Sequence, residues 1–268
     1  MTVRELVSSR WLPFRGSGRG VSVFCLPHAG GAAHAYRDWT GATAHPGVDF
    51  VPVELPGHGR RMAEAPVTDL DLLTAQLVEV VGGYTAETGR PYALFGHSMG
   101  GLLAYHLASR LAASAHPGPV CLFVSGCRPP HRRPAVELHG LDDATLVATL
   151  VRFGGLTAEI AAHTELMALI LPALRADLAL FAGYRPSGPA LPAPIVALAG
   201  AQDPLAGPED QRGWRGHTSR GLTERVFPGG HFYLHDNPGE VMREIARRIV
   251  HRGPVASAGR MTGAHRSL

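Results

Sequence analysis

Six short apolar segments alternate with helical patterns along this chain, and this alternation is the sequence feature that most constrains its fold. Each segment is rich in Val, Leu or Phe and is bounded by Gly or Pro, which is typical of a buried strand. The predicted strands are Val21–Leu26, Val48–Leu55, Pro91–Phe95, Val120–Ser125, Pro194–Ala199 and Leu222–Phe227. The predicted helices are 32–44, 68–87, 99–114, 205–217 and 238–252. The alternation predicts the α/β class, with a mostly parallel sheet covered by helices on both faces.

One long stretch, residues 129–190, interrupts the alternation because it contains no convincing strand. Three helical patterns run through it, at 142–153, 157–171 and 173–183. A segment rich in Pro and Gly ends it before the next strand. Residues 1–252 are therefore predicted to form one domain with a helical insertion, since α/β folds of this length often form one unit. The tail at 253–268 is rich in Gly, Ser, Ala and Arg and is predicted to fray.

The composition excludes several kinds of chemistry. All 25 basic side chains of the 268-residue sequence are arginine. Mechanisms that need a Schiff-base lysine, a P-loop lysine or a Ser–Lys dyad are therefore excluded. A formal net charge of +3 without basic stripes argues against nucleic-acid binding. The sequence has no metal-ligand spacing such as CxxC or HExxH, so neither a metal nor another cofactor is expected.

The cysteines and the apolar runs bear on the compartment. Cys25 and Cys121 lie inside apolar runs, and Cys127 brings the number of cysteines to three. An odd number of cysteines, two of them in apolar runs, favours buried thiols in a reducing compartment. A cytoplasmic location is therefore expected. The N-terminal segment lacks the apolar core of a secretory signal, and no apolar run reaches the roughly 18 residues of a membrane span. No membrane association is expected.

Residues 96–100, Gly-His-Ser-Met-Gly, match the G-x-S-x-G pattern of a nucleophilic serine. The pattern alone is weak, because a chain with 33 glycines can contain it by chance. A predicted strand precedes it and a strong helical pattern follows it, which is the strand–turn–helix that this motif requires. Ser98 is therefore predicted to be a nucleophile at the N-terminus of a helix rather than a serine that only caps the helix.

A serine nucleophile needs a base, and the expected chain order in an α/β-hydrolase is Ser, then Asp or Glu, then His. His231 follows the last predicted strand after a Gly-Gly turn, and it is preferred to His235, four residues further on. Asp203 follows the preceding strand directly, and it is preferred to Asp210 and Asp236, which do not. The sequence thus predicts Ser98, Asp203 and His231 as a catalytic triad, in which the acid fixes the tautomer of the base.

An oxyanion hole in such a site needs two backbone N–H donors. One is predicted to be Met99, the residue after the nucleophile. The other is expected in the loop after an earlier strand, and residues 26–31 form such a loop, with a sharp turn and two glycines. Ala29 is predicted to be the second donor, although the same loop could be no more than a tight turn between strand and helix.

Six segments together resemble the stand-alone type II thioesterases of modular polyketide and non-ribosomal peptide synthesis. The matching segments are 24–39, 53–61, 95–108, 123–130, 171–184 and 229–235. They span nearly the whole predicted domain, and Leu-Pro-Ala-Leu-Arg-Ala-Asp at 171–177 is far more specific than G-x-S-x-G. The chain departs from the family at His58, where arginine is commoner, and little consequence is expected.

The resemblance implies an α/β-hydrolase fold in which 129–190 form a lid over the triad of Ser98, Asp203 and His231. It also implies hydrolysis of stalled or wrong acyl groups from the phosphopantetheine thiol of acyl or peptidyl carrier proteins. Water would complete the turnover of an acyl-enzyme, and a mobile lid would gate the entry of the arm. No feature of the sequence requires more than a monomer.

Three other functions remain compatible with parts of the pattern. A generic serine esterase, lipase or peptidase would share the nucleophile motif. An acyltransferase would differ only in the nucleophile that resolves the acyl-enzyme, which depends on the access of water. A non-catalytic module that binds carrier proteins would not need the complete set of predicted catalytic groups.

The arginines offer a candidate docking face for an acidic carrier protein. Five of them lie in loops expected near the site entrance: Arg60, Arg61, Arg128, Arg132 and Arg133. Solvated arginines without a partner are an equally good interpretation of this pattern.

Overall fold

A computed structural model describes residues 10–14, 18–41, 47–132, 136–186 and 188–250 of the chain. The tail predicted to fray, 253–268, lies outside the described residues. Arg133, one of the arginines of the candidate docking face, lies outside them as well.

The described residues form one six-stranded parallel sheet, which confirms the predicted fold class. The strands are β1 (Val21–Leu26), β2 (Val48–Pro52), β3 (Tyr92–His97), β4 (Leu122–Ser125), β5 (Ile195–Gly200) and β6 (Leu222–Phe227). Their order is β2-β1-β3-β4-β5-β6, and every neighbouring pair is parallel. The strand order therefore reverses between β1 and β3. In open parallel sheets, sites form at such a reversal, outside the carboxyl ends of the strands.

Helices cover both faces of the sheet or cap its carboxyl edge. They are α1 (Leu70–Thr88), α2 (Met99–Ala112), α3 (Asp143–Arg152), α4 (Ala158–Ala162), α5 (Thr164–Leu180), α6 (Pro208–Gln211), α7 (Tyr233–Asp236) and α8 (Pro238–Val250). The helix α1 begins where Asp69 accepts a hydrogen bond from the amide of Leu72, and it ends at Gly89, which has a left-handed backbone. These are the usual start and stop signals of a helix.

The sheet separates two apolar cores, because consecutive strand residues point to opposite faces. In β3, Leu94 packs against the core beneath α1 and α2, and Phe95 packs against the core beneath α8. All three cysteines are buried, as expected for Cys25 and Cys121. Burial raises the pKa of the Cys25 and Cys127 thiols, so they stay protonated.

The edge strand β6 differs from the others because three of its residues are exposed. Glu224 and Arg225 are two of them, and charged side chains on an edge strand oppose pairing with another sheet.

Two predicted helices are shorter in the structure. The segment 32–44 contains a 3₁₀ turn, Ala33–Trp39, and 42–46 lie outside the described residues. The segment 205–217 is divided into α6 and a 3₁₀ turn, Arg212–His217. Glycines at 207, 213 and 216 interrupt the second pattern, and glycine disfavours a long helix.

The predicted helix boundaries in the insertion are wrong at one place. A break was expected at Pro172, between 157–171 and 173–183, but Pro172 lies inside the continuous helix α5. The break lies instead at His163, whose backbone is extended between α4 and α5. A proline inside a helix costs about 3 kcal/mol. Burial of one face of α5, including Met167, Leu174 and Leu180, offsets this cost.

Candidate active site

Ser98 occupies a strained turn between β3 and α2. Its φ of 54° makes it the one non-glycine residue with a left-handed φ among the described residues. The turn is possible because Gly96 and Gly100 touch: a Cβ on Gly96 would collide with the carbonyl oxygen of Gly100. Backbone strain of this kind persists where surrounding packing enforces it, and it aims the side chain away from the sheet. Ser98 lines a cavity at the carboxyl edge of the sheet.

His231 and Asp203 reach the same edge from the loops after β6 and β5. Their turns are bound together, since Gln202 donates its amide hydrogen to the carbonyl oxygen of Gly229 at 2.9 Å. Gly229 returns a hydrogen bond from its amide to Oε1 of Gln202, also at 2.9 Å. Glycine is required at position 200, because a Cβ there would collide with the carbonyl oxygen of Gly230. Gly229 has a φ of 109°, which suits glycine in the turn before His231.

The Asp203 carboxylate holds His231 in one tautomer. Its Oδ2 lies 2.9 Å from Nδ1 of His231, and its Oδ1 accepts hydrogen bonds from the amides of Leu205 (2.8 Å) and Ala206 (3.1 Å). Burial opposes ionisation of Asp203, but the hydrogen bond from His231 and the two amides outweigh it and lower the pKa of Asp203. An ionised Asp203 only accepts, so in the neutral ring of His231 the proton is on Nδ1 and the lone pair is on Nε2.

The rejected alternatives lie elsewhere. His235 stacks on Phe232 and contacts His28, not Asp203. Asp210 is buried and binds Arg128 and Arg132.

The two predicted oxyanion donors lie beside Ser98. Met99 begins α2, and Ala29 lies in the loop after β1; both line the same cavity as Ser98. Neither amide donates a hydrogen bond within the described part of the chain. The loop and α2 are in close contact, because a Cβ on Gly100 would collide with the carbonyl oxygens of Leu26 and Pro27. The two residues that carry these amides, and the N-terminus of α2, therefore lie at the cavity next to the serine.

The cavity, about 380 Å³, lies between this edge of the sheet and the helical insertion. Its insertion wall is mainly apolar and includes Leu138, Leu150, Phe153, Leu178, Phe181 and Tyr184. Residues of the insertion therefore form one wall of the cavity that contains Ser98. A volume of this size and an apolar wall suit an organic acyl group.

A buried aromatic cluster behind His231 was not anticipated from the sequence. The ring of His97 lies 4.9 Å from that of His231 between centroids, and its Nδ1 lies 2.9 Å from the hydroxyl of Ser125. Ser125 in turn lies 2.6 Å from the hydroxyl of Tyr233. Burial, together with neighbouring histidines, lowers the pKa of His97, so this ring is neutral beside His231. The one sequence signal for a role of His97 at the site was its position next to Ser98 in the G-x-S-x-G motif.

A second group missed from the sequence joins the insertion to the loop of Ala29. Oδ2 of Asp177, in α5, accepts hydrogen bonds from the amide of Gly30 at 2.8 Å and from Nε2 of His58 at 2.9 Å. Both side chains of the His58–Asp177 pair are 3 % exposed. Asp177 lies in the segment 171–177, which carries the resemblance most specifically, but the sequence does not indicate which residues Asp177 contacts.

The arginines of the candidate docking face have different surroundings. Arg61 is buried over the ring of Trp11 and binds Glu64 through two nitrogens, so its expected exposure at a docking face is wrong. Arg128 and Arg132 line the cavity and share the buried carboxylate of Asp210.

Arg60 is exposed and lies over the ring of Phe14.

The described residues contain neither a membrane-spanning helix nor a metal-binding cluster. No helix there is long and apolar enough to cross a membrane. No group of three or more His, Cys, Asp or Glu side chains there could hold a metal ion.

Comparison with known proteins gives consistent matches. Residues 21–249 match the family described as Thioesterase domain. The thioesterase PikA5 of Streptomyces venezuelae is 36% identical over 232 residues, covering 86% of this chain and 81% of PikA5. A probable cadicidin biosynthesis thioesterase of Streptomyces griseus is 35% identical over 256 residues, covering 93% of this chain and 68% of that protein. The structure of the type II thioesterase BorB from the borrelidin biosynthetic cluster superposes with a TM-score of 0.77 at 37% identity, covering 89% of this chain and 97% of BorB.

Proposed function

This chain belongs to the thioesterase domain family and is a hydrolase acting on thioesters, and from that premise we propose that it releases acyl groups from the phosphopantetheine thiol of carrier proteins. In this role it is a stand-alone editing enzyme of polyketide or non-ribosomal peptide assembly. Its similarity to BorB, a type II thioesterase, supports this role. The observation that carries the proposal is the convergence of Ser98 and the His231–Asp203 pair on one cavity beneath a helical lid.

Acylation of the enzyme begins at Ser98. Nε2 of His231 takes the proton of the Ser98 hydroxyl as the oxygen attacks the thioester carbonyl carbon. The amides of Ala29 and Met99 stabilise the negative oxygen of the tetrahedral intermediate. The carbon–sulfur bond then breaks, and the departing thiolate takes the proton from His231, which leaves an ester on Ser98.

Deacylation uses the same groups with water. His231 takes a proton from a water molecule as its oxygen attacks the ester carbonyl. Collapse of the second tetrahedral intermediate releases the carboxylic acid and returns the proton to Ser98. Asp203, held by the amides of Leu205 and Ala206, keeps Nδ1 of His231 protonated in both steps. A thiolate leaves readily, so the first step demands less of the acid than cleavage of an amide does.

The charges at the cavity fit a carrier-bound substrate. Arg128 and Arg132 lie at the cavity, and one buried carboxylate, Asp210, orients both. Positive charges at the cavity attract an acidic carrier surface. The protein acts in the cytoplasm as a monomer in this proposal, and its thiols remain reduced.

Mass spectrometry of the intact protein tests the proposal with a panel of acyl-carrier proteins. The wild type is expected to gain the mass of the acyl group, and Ser98→Ala is not. Hydrolysis of carrier-bound and small acyl thioesters should fall by more than about 10³-fold in Ser98→Ala. Ser114→Ala, an exposed serine after α2, is the matched control and should retain the wild-type rate.

Two comparisons separate the rival functions. A higher kcat/KM for the acyl-carrier thioester than for the matching oxygen ester supports the thioesterase, and the reverse order supports a general esterase. Release of free acid in the presence of alcohol and amine acceptors supports hydrolysis, whereas transfer to them indicates an acyltransferase. Retention of most activity by Ser98→Ala would remove the nucleophile assignment.

A further inference from the structure

The lid contacts the oxyanion loop directly through Asp177. This side chain lies on α5 and is 3 % exposed. Its Oδ2 accepts the amide hydrogen of Gly30 at 2.8 Å, and Gly30 immediately follows Ala29. The Gly30 amide belongs to the peptide unit that follows the Ala29 amide, and its donation to a charged acceptor restricts the orientation of the Ala29 amide. The position of the lid and the conformation of the loop are therefore coupled.

Packing reinforces this hydrogen bond. Leu174 lies one turn before Asp177 on α5 and faces the same loop, because residues three apart share a face of a helix. A Cβ built on Gly30 would lie 3.2 Å from Leu174, so the loop lies against the helix without room for a side chain. Gly30 also has a φ of 73°, which suits glycine.

His58 is the second partner of Asp177, and both of its ring nitrogens face acceptors. Nε2 lies 2.9 Å from Oδ2 of Asp177, and Nδ1 lies 3.0 Å from the carbonyl oxygen of Pro56. A neutral imidazole has one N–H and can donate to only one of the two. The imidazolium donates to both, so the geometry itself favours the charged form.

The charges around His58 act in the same direction. Burial lowers the pKa of His58, but the hydrogen bond and charge of Asp177, the carbonyl of Pro56 and the charge of Glu54 outweigh it and raise this pKa above its ordinary value. His28 faces it from the loop after β1; burial lowers the pKa of His28 to about 3, so this ring is uncharged at neutral pH. Arg61, three residues after His58, binds Glu64 through its guanidinium.

We propose that Asp177 is a positioning residue for the oxyanion loop and that His58, as an imidazolium, makes this positioning dependent on pH. The inference rests on the proposed function for the role of Ala29, but the contacts among His58, Asp177 and Gly30 do not. When His58 loses one of its two ring protons, Asp177 loses a charged partner. Either Oδ2 of Asp177 or the carbonyl oxygen of Pro56 then loses its hydrogen-bond donor. The loop then holds the Ala29 amide less firmly, and kcat falls more than KM rises.

The sign of the pH effect follows from the direction of the shift. A pKa raised in the folded protein contributes stability that is fully present below the unfolded value, about 6.5. That stability is lost as pH rises through the higher folded value. The lid and loop are therefore expected to be firmly joined below about pH 6.5 and to loosen as pH rises through the folded pKa of His58.

The direct test is the titration of His58 by NMR in the whole protein, with its signal assigned by its absence in His58→Gln. The pKa of His58 is expected above 6.5 in the wild type and lower in Asp177→Asn. Leu174→Ala, which removes packing but neither hydrogen bond, is the matched control and should leave this titration unchanged. A pKa at or below the ordinary value in the wild type overturns the proposal, whether or not the protein hydrolyses thioesters.

Kinetics and hydrogen exchange test the consequence. Asp177→Asn is expected to reduce kcat by up to about 100-fold on a small acyl thioester, the cost of misplacing a catalytic group by about 1 Å. Amide hydrogen exchange of the peptide that contains Gly30 should become faster in this variant, when each rate is compared with the intrinsic rate of that peptide. His58→Arg keeps a permanent cation beside Asp177, so it should abolish the decline in kcat that the wild type shows as pH rises through the pKa of His58. The same decline in kcat with rising pH in His58→Arg as in the wild type, or unchanged exchange in Asp177→Asn, overturns the proposal.

Discussion

Nδ1 of His231 and Oδ2 of Asp203 lie 2.9 Å apart, and the other oxygen of Asp203 is held by two backbone amides. Both oxygens of this carboxylate are therefore placed within hydrogen-bond distance of protein N–H groups. Asp203 can therefore accept a hydrogen bond from Nδ1 of His231 while it carries a negative charge, which an amide side chain could not do.

Replacement of Asp203 by Asn is expected to lower kcat by about 10³- to 10⁴-fold, because the amide NH₂ of Asn donates to His231 and favours the wrong tautomer. Hydrolysis of a small acyl thioester and the circular dichroism spectrum are the measurements, and the spectrum should not change. Asp236→Asn, an exposed acid near the same loop, is the control and should behave as wild type. Equal losses in both variants would contradict the role of Asp203.

Replacement of Gly100 by Ala is expected to lower the free energy of unfolding by about 2–4 kcal/mol, because the new methyl group overlaps two backbone carbonyl oxygens that cannot move independently. Urea denaturation measures the change. Gly118→Ala is the matched control, since a Cβ there meets no atom within 4 Å. A similar loss of stability in both variants would show that the contact of Gly100 with the loop after β1 does not cause the destabilisation.

The parts of the fold that the sequence predicted are those with local signals. Each predicted strand appears within a few residues, because apolar runs bounded by Gly and Pro identify buried strands without tertiary information. The surroundings of Ser98 were equally local, since a strand, a glycine-rich turn and a helix follow one another at 92–112. Asp203 and His231 were placed at the sheet edge by their position after β5 and β6.

What the sequence could not give depends on contacts between distant residues. The hydrogen bond from Gly30 to Asp177 joins residues 147 positions apart. Burial of Arg61 depends on Trp11, which lies in another part of the chain. The continuous helix through Pro172 depends on packing of α5, because local propensity predicts a break there. In each of these cases tertiary packing determines the outcome.

Replacement of Glu244 by Gln is expected to destabilise the protein at neutral pH and to flatten its acid dependence. Burial raises the pKa of Glu244, but hydrogen bonds from Arg248 and Arg247 outweigh it, and the net shift is downward. A lowered pKa contributes stability that is present above the unfolded value, about 4.3, and is lost as pH falls through the folded value. The difference in Tm between wild type and variant should therefore shrink as pH falls from 7 to 3.

The control for this measurement is Glu224→Gln, on the exposed edge strand β6. Its Tm should follow that of the wild type at each pH. A difference between the Glu244→Gln variant and the wild type that stays constant across the range would mean that packing, not charge, accounts for the loss.

Replacement of Arg132 by Gln is expected to slow hydrolysis of carrier-bound substrates selectively. Arg132 is 45% exposed at the cavity, and Arg128 still neutralises Asp210 when it is removed. Loss of one cation from a docking face should lower kcat/KM for an acyl-carrier protein by about threefold to tenfold at low salt, and by less at high salt, because ions screen the attraction. A small acyl thioester carries no docking surface, so its kcat/KM should not change. Arg243→Gln, on α8 and away from the cavity, is the charge-matched control. Equal effects of Arg132→Gln on both substrates would indicate that Arg132 shapes the cavity and does not bind the carrier.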